Sequence, residues 1–232
     1  MTPRLSRLCS SWLLPTVLST IAGAVDVIGF LALGGLFTAH ITGNVVIVAA
    51  HYVTGGFSQI GPLLAVPVFM AVMGLVTLAS SAIARAGTMP LRPLLLLETV
   101  LLAGFLLFGV GFGRFNDADS SMAVLAGMLG VAAMATQNVL GKLALKSAPS
   151  TAVMTTNITQ LTVDLVTLVR SRGDAGELAN ARRRAHITFA CVIGFVAGCA
   201  AGAALEVKFG FWALALPVVL SALALRLGQV DA

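Results

Sequence analysis

The chain has 232 residues, of which 58% are hydrophobic and 10% charged, against roughly 25% charged in an ordinary soluble domain, and this excludes a water-soluble globular protein. Apolar runs near the roughly 20 residues needed to cross the hydrocarbon core recur along the whole chain and leave no room for a sizeable soluble domain. The net charge of +5 does not point to nucleic acid, because the basic residues sit in short loops between apolar runs, where they determine topology.

The opening "MTPRLSRLCSSWLLPTVLSTIAGA" has the outline of a cleavable signal, with Arg4 and Arg7 before an apolar stretch and small residues at Ala22 to Ala24. The apolar run continues to Leu33 and its later part has a counterpart downstream, so it is read as a first span, 12–33. A polar segment at 35–56 contains "GGLFTAHITGN". Apolar runs at 62–84 and 93–112 follow, then the polar stretch "GRFNDADSS" near the midpoint. The second half repeats the order: a run at 121–142, a Thr/Asn segment at 148–170, the basic loop "RSRGDAGELANARRR", and runs at 186–205 and 210–227.

The two halves also match residue by residue. "AVDVIGFLAL" from Ala24 lies over "TQNVLGKLAL" from Thr136, which sets Asp26 on Asn138. After a one-residue insertion, "TAHITGNVV" lies over "TAVMTTNIT", pairing Thr38, Thr42 and Asn44 with Thr151, Thr155 and Asn157. This predicts a duplicated unit, with 1–115 as the first membrane repeat and 116–232 as the second. With the N-terminus in the cytoplasm, eight crossings place nine Lys and Arg residues inside and five outside. If the Thr/Asn segments turn back instead, the split is twelve against two. Basic residues favour cytoplasmic loops, so the expected fold is all-α and polytopic. Each of two inverted repeats has three spanning helices and one broken or re-entrant Thr/Asn segment, and both termini are cytoplasmic.

Within the first polar segment, Thr38, His40, Thr42 and Asn44 alternate with Ala39, Ile41 and Gly43, which suggests a short extended stretch before a half-helix. Such backbone is tolerated at membrane depth only where protein or a water-filled cavity surrounds it, and Gly43 suits a break. Two such segments meeting near the midplane would offer hydroxyls, amides and helix ends to a small polar or ionic solute. They could equally tie neighbouring helices together.

Asp26 is the sharper signal, because a carboxylate inside a span costs at least about 2.5–3.5 kcal/mol on insertion scales and usually lines a pathway or pairs with a partner. It is the candidate proton acceptor or cation ligand, with Asn138 as a neutral counterpart. Asp164 shares a helical stripe with Thr156, Gln160 and Thr167. Glu98 lies close enough to a span boundary to reach the interface and ranks lower. His40 and His51 are the residues able to titrate near neutral pH. The candidate pathway therefore comprises Asp26, Thr38, His40, Thr42, Asn44, Asn138, Thr151, Thr155, Asn157, Gln160 and Asp164.

Gly194, Gly198 and Gly202 recur every four residues and permit close helix contact, within the monomer or in a homodimer. Cys9, Cys191 and Cys199 have no metal-ligand spacing and read as small apolar fillers. No phosphate loop, catalytic triad pattern or metal cluster stands out, so neither an enzyme nor a cofactor is expected.

At "AGAVDVIGFLALGGLFTAHITGN" and again at "MATQNVLGKLALKSAPSTAVMTTNITQL", the chain resembles the YoaK family of bacterial inner-membrane proteins of unknown function. The resemblance implies about six transmembrane helices, a plasma-membrane location and a transporter label with no established substrate. The family's Thr-Gly pair is kept at Thr42-Gly43 and replaced by Thr155-Thr156 in the second block. The expected function is movement of a small polar or ionic solute across the bacterial plasma membrane, with Asp26 as the coupling carboxyl. The alternative is a non-transporting scaffold or accessory subunit whose polar motifs are structural.

Overall fold

A computed structural model describes residues 3–54, 60–85, 90–111, 118–170 and 174–228, with side chains from Trp12 onward. Arg114, Arg172, most of the midpoint linker and the side chains of Arg4, Arg7 and Cys9 lie outside the described residues. Those described contain eight α-helices and no strand: α1 (Pro3–Ala32), α2 (Ile41–Thr54), α3 (Ile60–Arg85), α4 (Leu91–Gly111), α5 (Ser121–Leu143), α6 (Met154–Arg170), α7 (Ala175–Phe209) and α8 (Ala215–Leu227). A 3-10 turn, Gly210–Leu214, joins the last two.

Helices dominate because a chain this apolar must satisfy its backbone groups internally where water is excluded. Five apolar stretches are long enough to cross a membrane: Trp12–Ala32, Ile60–Arg85, Leu91–Gly111, Ser121–Leu143 and Ala175–Leu227. The last contains both final runs expected from sequence, and Gly210, at φ 59°, divides it into α7 and α8. The helices α1 and α5 form the centre, with 67% and 72% of their apolar windows buried, against 17% for α3. The outward face of α3, with Met70, Leu75 and Leu78 exposed, is suited to lipid.

Around this centre, α7 packs on α1 and α3 on α5, while α8 lies against α1 and α4 against α5. The α1–α7 pair is parallel and close: a side chain at Gly194 would meet Thr16, one at Gly198 would meet Thr20, and one at Gly202 would meet Ala24. The glycine stripe expected to serve a monomer contact or a homodimer is therefore buried against α1 of the same chain and is not free for a second copy.

By contrast, α1 and α5 are antiparallel. Leu33 and Leu36, just after α1, flank Gly127, whereas the Leu18 carbonyl accepts from the Gln137 side chain. One end of the bundle holds Leu36, Gly61 and Asp119, whose carboxylate accepts the Ile60 N–H at 2.7 Å. The other holds Trp12, in edge contact with His186, together with the C-terminal end of α5 and the N-terminal half of α7.

Candidate functional site

Both Thr/Asn segments consist of a non-helical stretch followed by a short helix. The first break comes from Gly34 and Gly35, at φ 62° and 88°, angles that side chains resist. The Gly35 N–H caps α1 through the Phe30 carbonyl at 2.9 Å. Gly43 is not the break, contrary to the sequence expectation. It lies in the first turn of α2, where a Cβ would come within 2.8 Å of the Phe37 ring.

Asp26, buried in α1, receives the whole returning loop. One oxygen accepts the Ala39 N–H at 2.7 Å, the His40 N–H at 3.3 Å and the Thr38 hydroxyl at 3.4 Å. The other lies 2.6 Å from His40 Nδ1. Asn44 completes the clasp, its amide accepting from the Phe37 N–H at 2.9 Å and donating to the Phe37 carbonyl at 2.7 Å. Thr38 is fully buried and Thr42 is exposed. Asp26 is thus spent on its own loop, as a cap to the chain entering α2.

The second segment repeats the pin with different residues. Asn157 donates to the Ser150 carbonyl at 2.6 Å, seven residues back, as Asn44 does to Phe37. Thr156 replaces Gly43, but Ser150 replaces the bulky Phe37, so a large–small pair becomes a small–medium one and the same turn closes. The loss of the Thr-Gly pair therefore does not prevent the turn. Thr151 is buried and Thr155 exposed, matching Thr38 and Thr42.

The anchor differs. Asn138, aligned with Asp26, donates to Met134 of its own helix at 2.9 Å. Its neighbour Gln137, missed by the sequence reading, donates to the Thr151 hydroxyl at 2.8 Å and the Leu18 carbonyl at 3.0 Å. Gln137 lies 14 residues before Thr151, whereas Asp26 lies 12 before Thr38.

Here the bundle opens. A cavity of about 770 Å³ is lined by Gln137, Asn138, Lys142, Lys146, Thr151, Asn157, Gln160, Arg183 and Arg184, among others. Asp164 lies beside it, accepting from Arg184 at 2.7 Å and from Gln160 at 3.0 Å. None of Asp26, Thr38, His40, Thr42 or Asn44 lines this cavity, so the expected shared hollow between the two segments is not formed among the described residues. Leu18 and Asp26 are separated by about 12 Å of α1, filled by fully buried Ile21 and Val25.

Glu98 also departs from expectation. It does not reach an interface: its side chain is fully buried in α4 and neither carboxylate oxygen has a hydrogen-bond partner. A charged group at that position would have nothing to offset its loss of water.

Residues 14–227 match the model of a family described as a protein of unknown function, DUF1275. The chain belongs to this family. The DUF1275 match takes in both Thr/Asn segments and both their anchors, Asp26 and Gln137. No curated protein and no solved structure matches the chain. Because DUF1275 carries no assigned activity, the chemistry of the site rests on the geometry of these side chains.

Proposed function

We propose that this DUF1275 protein moves a small polar or ionic solute across the bacterial plasma membrane, through two inverted repeats that each carry a re-entrant segment. The YoaK resemblance leads to the same location and transporter label. The carrying observation is the antiparallel packing of α1 and α5. It requires an even number of crossings between them, met when α3 and α4 cross and α2 turns back. The helix α2 has 14 residues, too few to span alone, and Leu36 before it and Gly61 after it are neighbours. Exchanging the halves also maps the packing onto itself: α1 with α7 becomes α5 with α3, and α4 with α5 becomes α8 with α1.

The cavity opens at the end that carries Lys142, Lys146, Arg183 and Arg184, and this positive charge supports a cytoplasmic position for it. It stops at Gln137, and the Asp26 clasp closes the opposite side. A chamber open to one side is what a carrier presents in one of its two access states.

Flux from proteoliposomes, screened against ions and small polar metabolites, tests the reading. At least one solute should move only when protein is present, and Thr151→Val should slow it while the protein stays folded. Movement no faster than from empty liposomes for every solute would overturn the proposal. A scaffold is favoured by one observation, that all the polar groups around Asp26 are satisfied by its loop. On that reading, Asp26→Asn destabilises the fold, and no variant has a flux phenotype of its own.

A further inference from the structure

The charges around the cavity are of one sign. Lys142, Lys146, Arg183 and Arg184 line it, and no carboxylate does among the described residues. Asp164 occupies only Arg184, at 2.7 Å, which leaves three cations converging on the same space. The N-terminal turn of α6 also faces it, through Thr156 and Asn157, adding the positive end of a helix dipole. At the floor, Gln137 is fully buried and its amide orientation is fixed, since Nε2 donates to Leu18 and Thr151. Gln137 lines the cavity, and its buried Oε1 is left as an acceptor with no partner.

We infer that the cavity is a binding site for a small soluble oxyanion, carboxylate or phosphate in class, that also carries a hydrogen-bond donor for Gln137. The inference rests on the reading of the second Thr/Asn segment as a solute pathway and names the solute's chemistry. The lysines and arginines hold the charge, and the Gln137 oxygen selects against anions that have no O–H or N–H. Basic residues placed only to orient the protein in the membrane would require neither a shared concavity nor an unpartnered acceptor at its floor.

The test is equilibrium binding to the purified full-length protein in zwitterionic nanodiscs. The probes are inorganic phosphate at a pH where it retains a proton, the hydroxy acid malate, its hydroxyl-free analogue succinate, potassium ion and glycerol. Phosphate and malate should bind, and succinate should bind more weakly than malate. The exposed pair Lys146→Gln with Arg183→Gln should weaken both by about tenfold or more, and Lys146→Arg with Arg183→Lys should restore them. Gln137→Leu should abolish the preference for malate over succinate. Equal binding of glycerol or potassium would overturn the inference, as would no binding of phosphate and malate. So would occupancy seen only when phosphatidylglycerol is added, because the site would then hold a lipid headgroup. Anion binding without flux would leave this site standing and remove the transport reading. Cation flux without anion binding would do the reverse.

Discussion

Asn44 and Asn157 perform the same task with unequal completeness, and this ranks their importance. Asn44 satisfies both backbone groups of Phe37, whereas Asn157 satisfies the carbonyl of Ser150. Leaving a buried backbone group unpaired costs about 1–3 kcal/mol. Asn44→Ala should therefore lower stability by about 2 kcal/mol or more, and Asn157→Ala by roughly half as much. Thermal unfolding of the purified variants in detergent measures this, and the opposite ranking would show that the number of backbone groups each asparagine satisfies does not set its importance. These asparagines were legible in the sequence because the same residue recurs at matching places in both halves. Gln137 was not, because the alignment directs attention to Asn138, and only the path of the second loop reveals which neighbour reaches Thr151. The burial of Glu98 was hidden for a related reason: distance from a span boundary does not tell which way a side chain faces.

At the scale of elements, the glycine spacing in α7 announced a close helix contact, and the apolar runs announced the helices. Neither named the partner, which lies more than 170 residues earlier in the sequence. The contact leaves no room for even a methyl group, since a Cβ at Gly198 would stand 2.1 Å from the Thr20 carbonyl oxygen. Backbone atoms cannot swing aside, so Gly198→Ala should separate α1 from α7 and cost about 1–3 kcal/mol or more. Gly74, in α3, provides the control because nothing lies within 4 Å of its missing Cβ. There, Gly→Ala gains helix propensity of up to about 1 kcal/mol without a clash. Midpoints of thermal unfolding should move in opposite directions for the two substitutions. A neutral Gly198→Ala would mean that the α1–α7 pair is looser than its geometry implies.

For the whole molecule, the sequence yields two charge distributions, and helix directions supply an independent criterion. Because α1 and α5 are antiparallel while α1 and α7 are parallel, the number of crossings between α1 and α5 must be even and that between α1 and α7 odd. Spanning by α3, α4 and α5, with α2 and α6 turning back, meets both conditions. Eight full crossings would make α1 and α5 parallel. Arg85, Lys146 and Lys208 are all exposed near helix ends and distinguish the two arrangements. If all eight helices cross, the three lie on one face of the membrane. If the Thr/Asn segments turn back, Arg85 and Lys146 share the cytoplasmic face and Lys208 lies on the other. Single cysteines at these positions, in a background with Cys9, Cys191 and Cys199 replaced, can be labelled in intact cells with an impermeant maleimide. Position 208 should react from outside and positions 85 and 146 only after the membrane is opened. Reaction of 208 and 146 from the same side would contradict the helix directions on which the inverted arrangement depends.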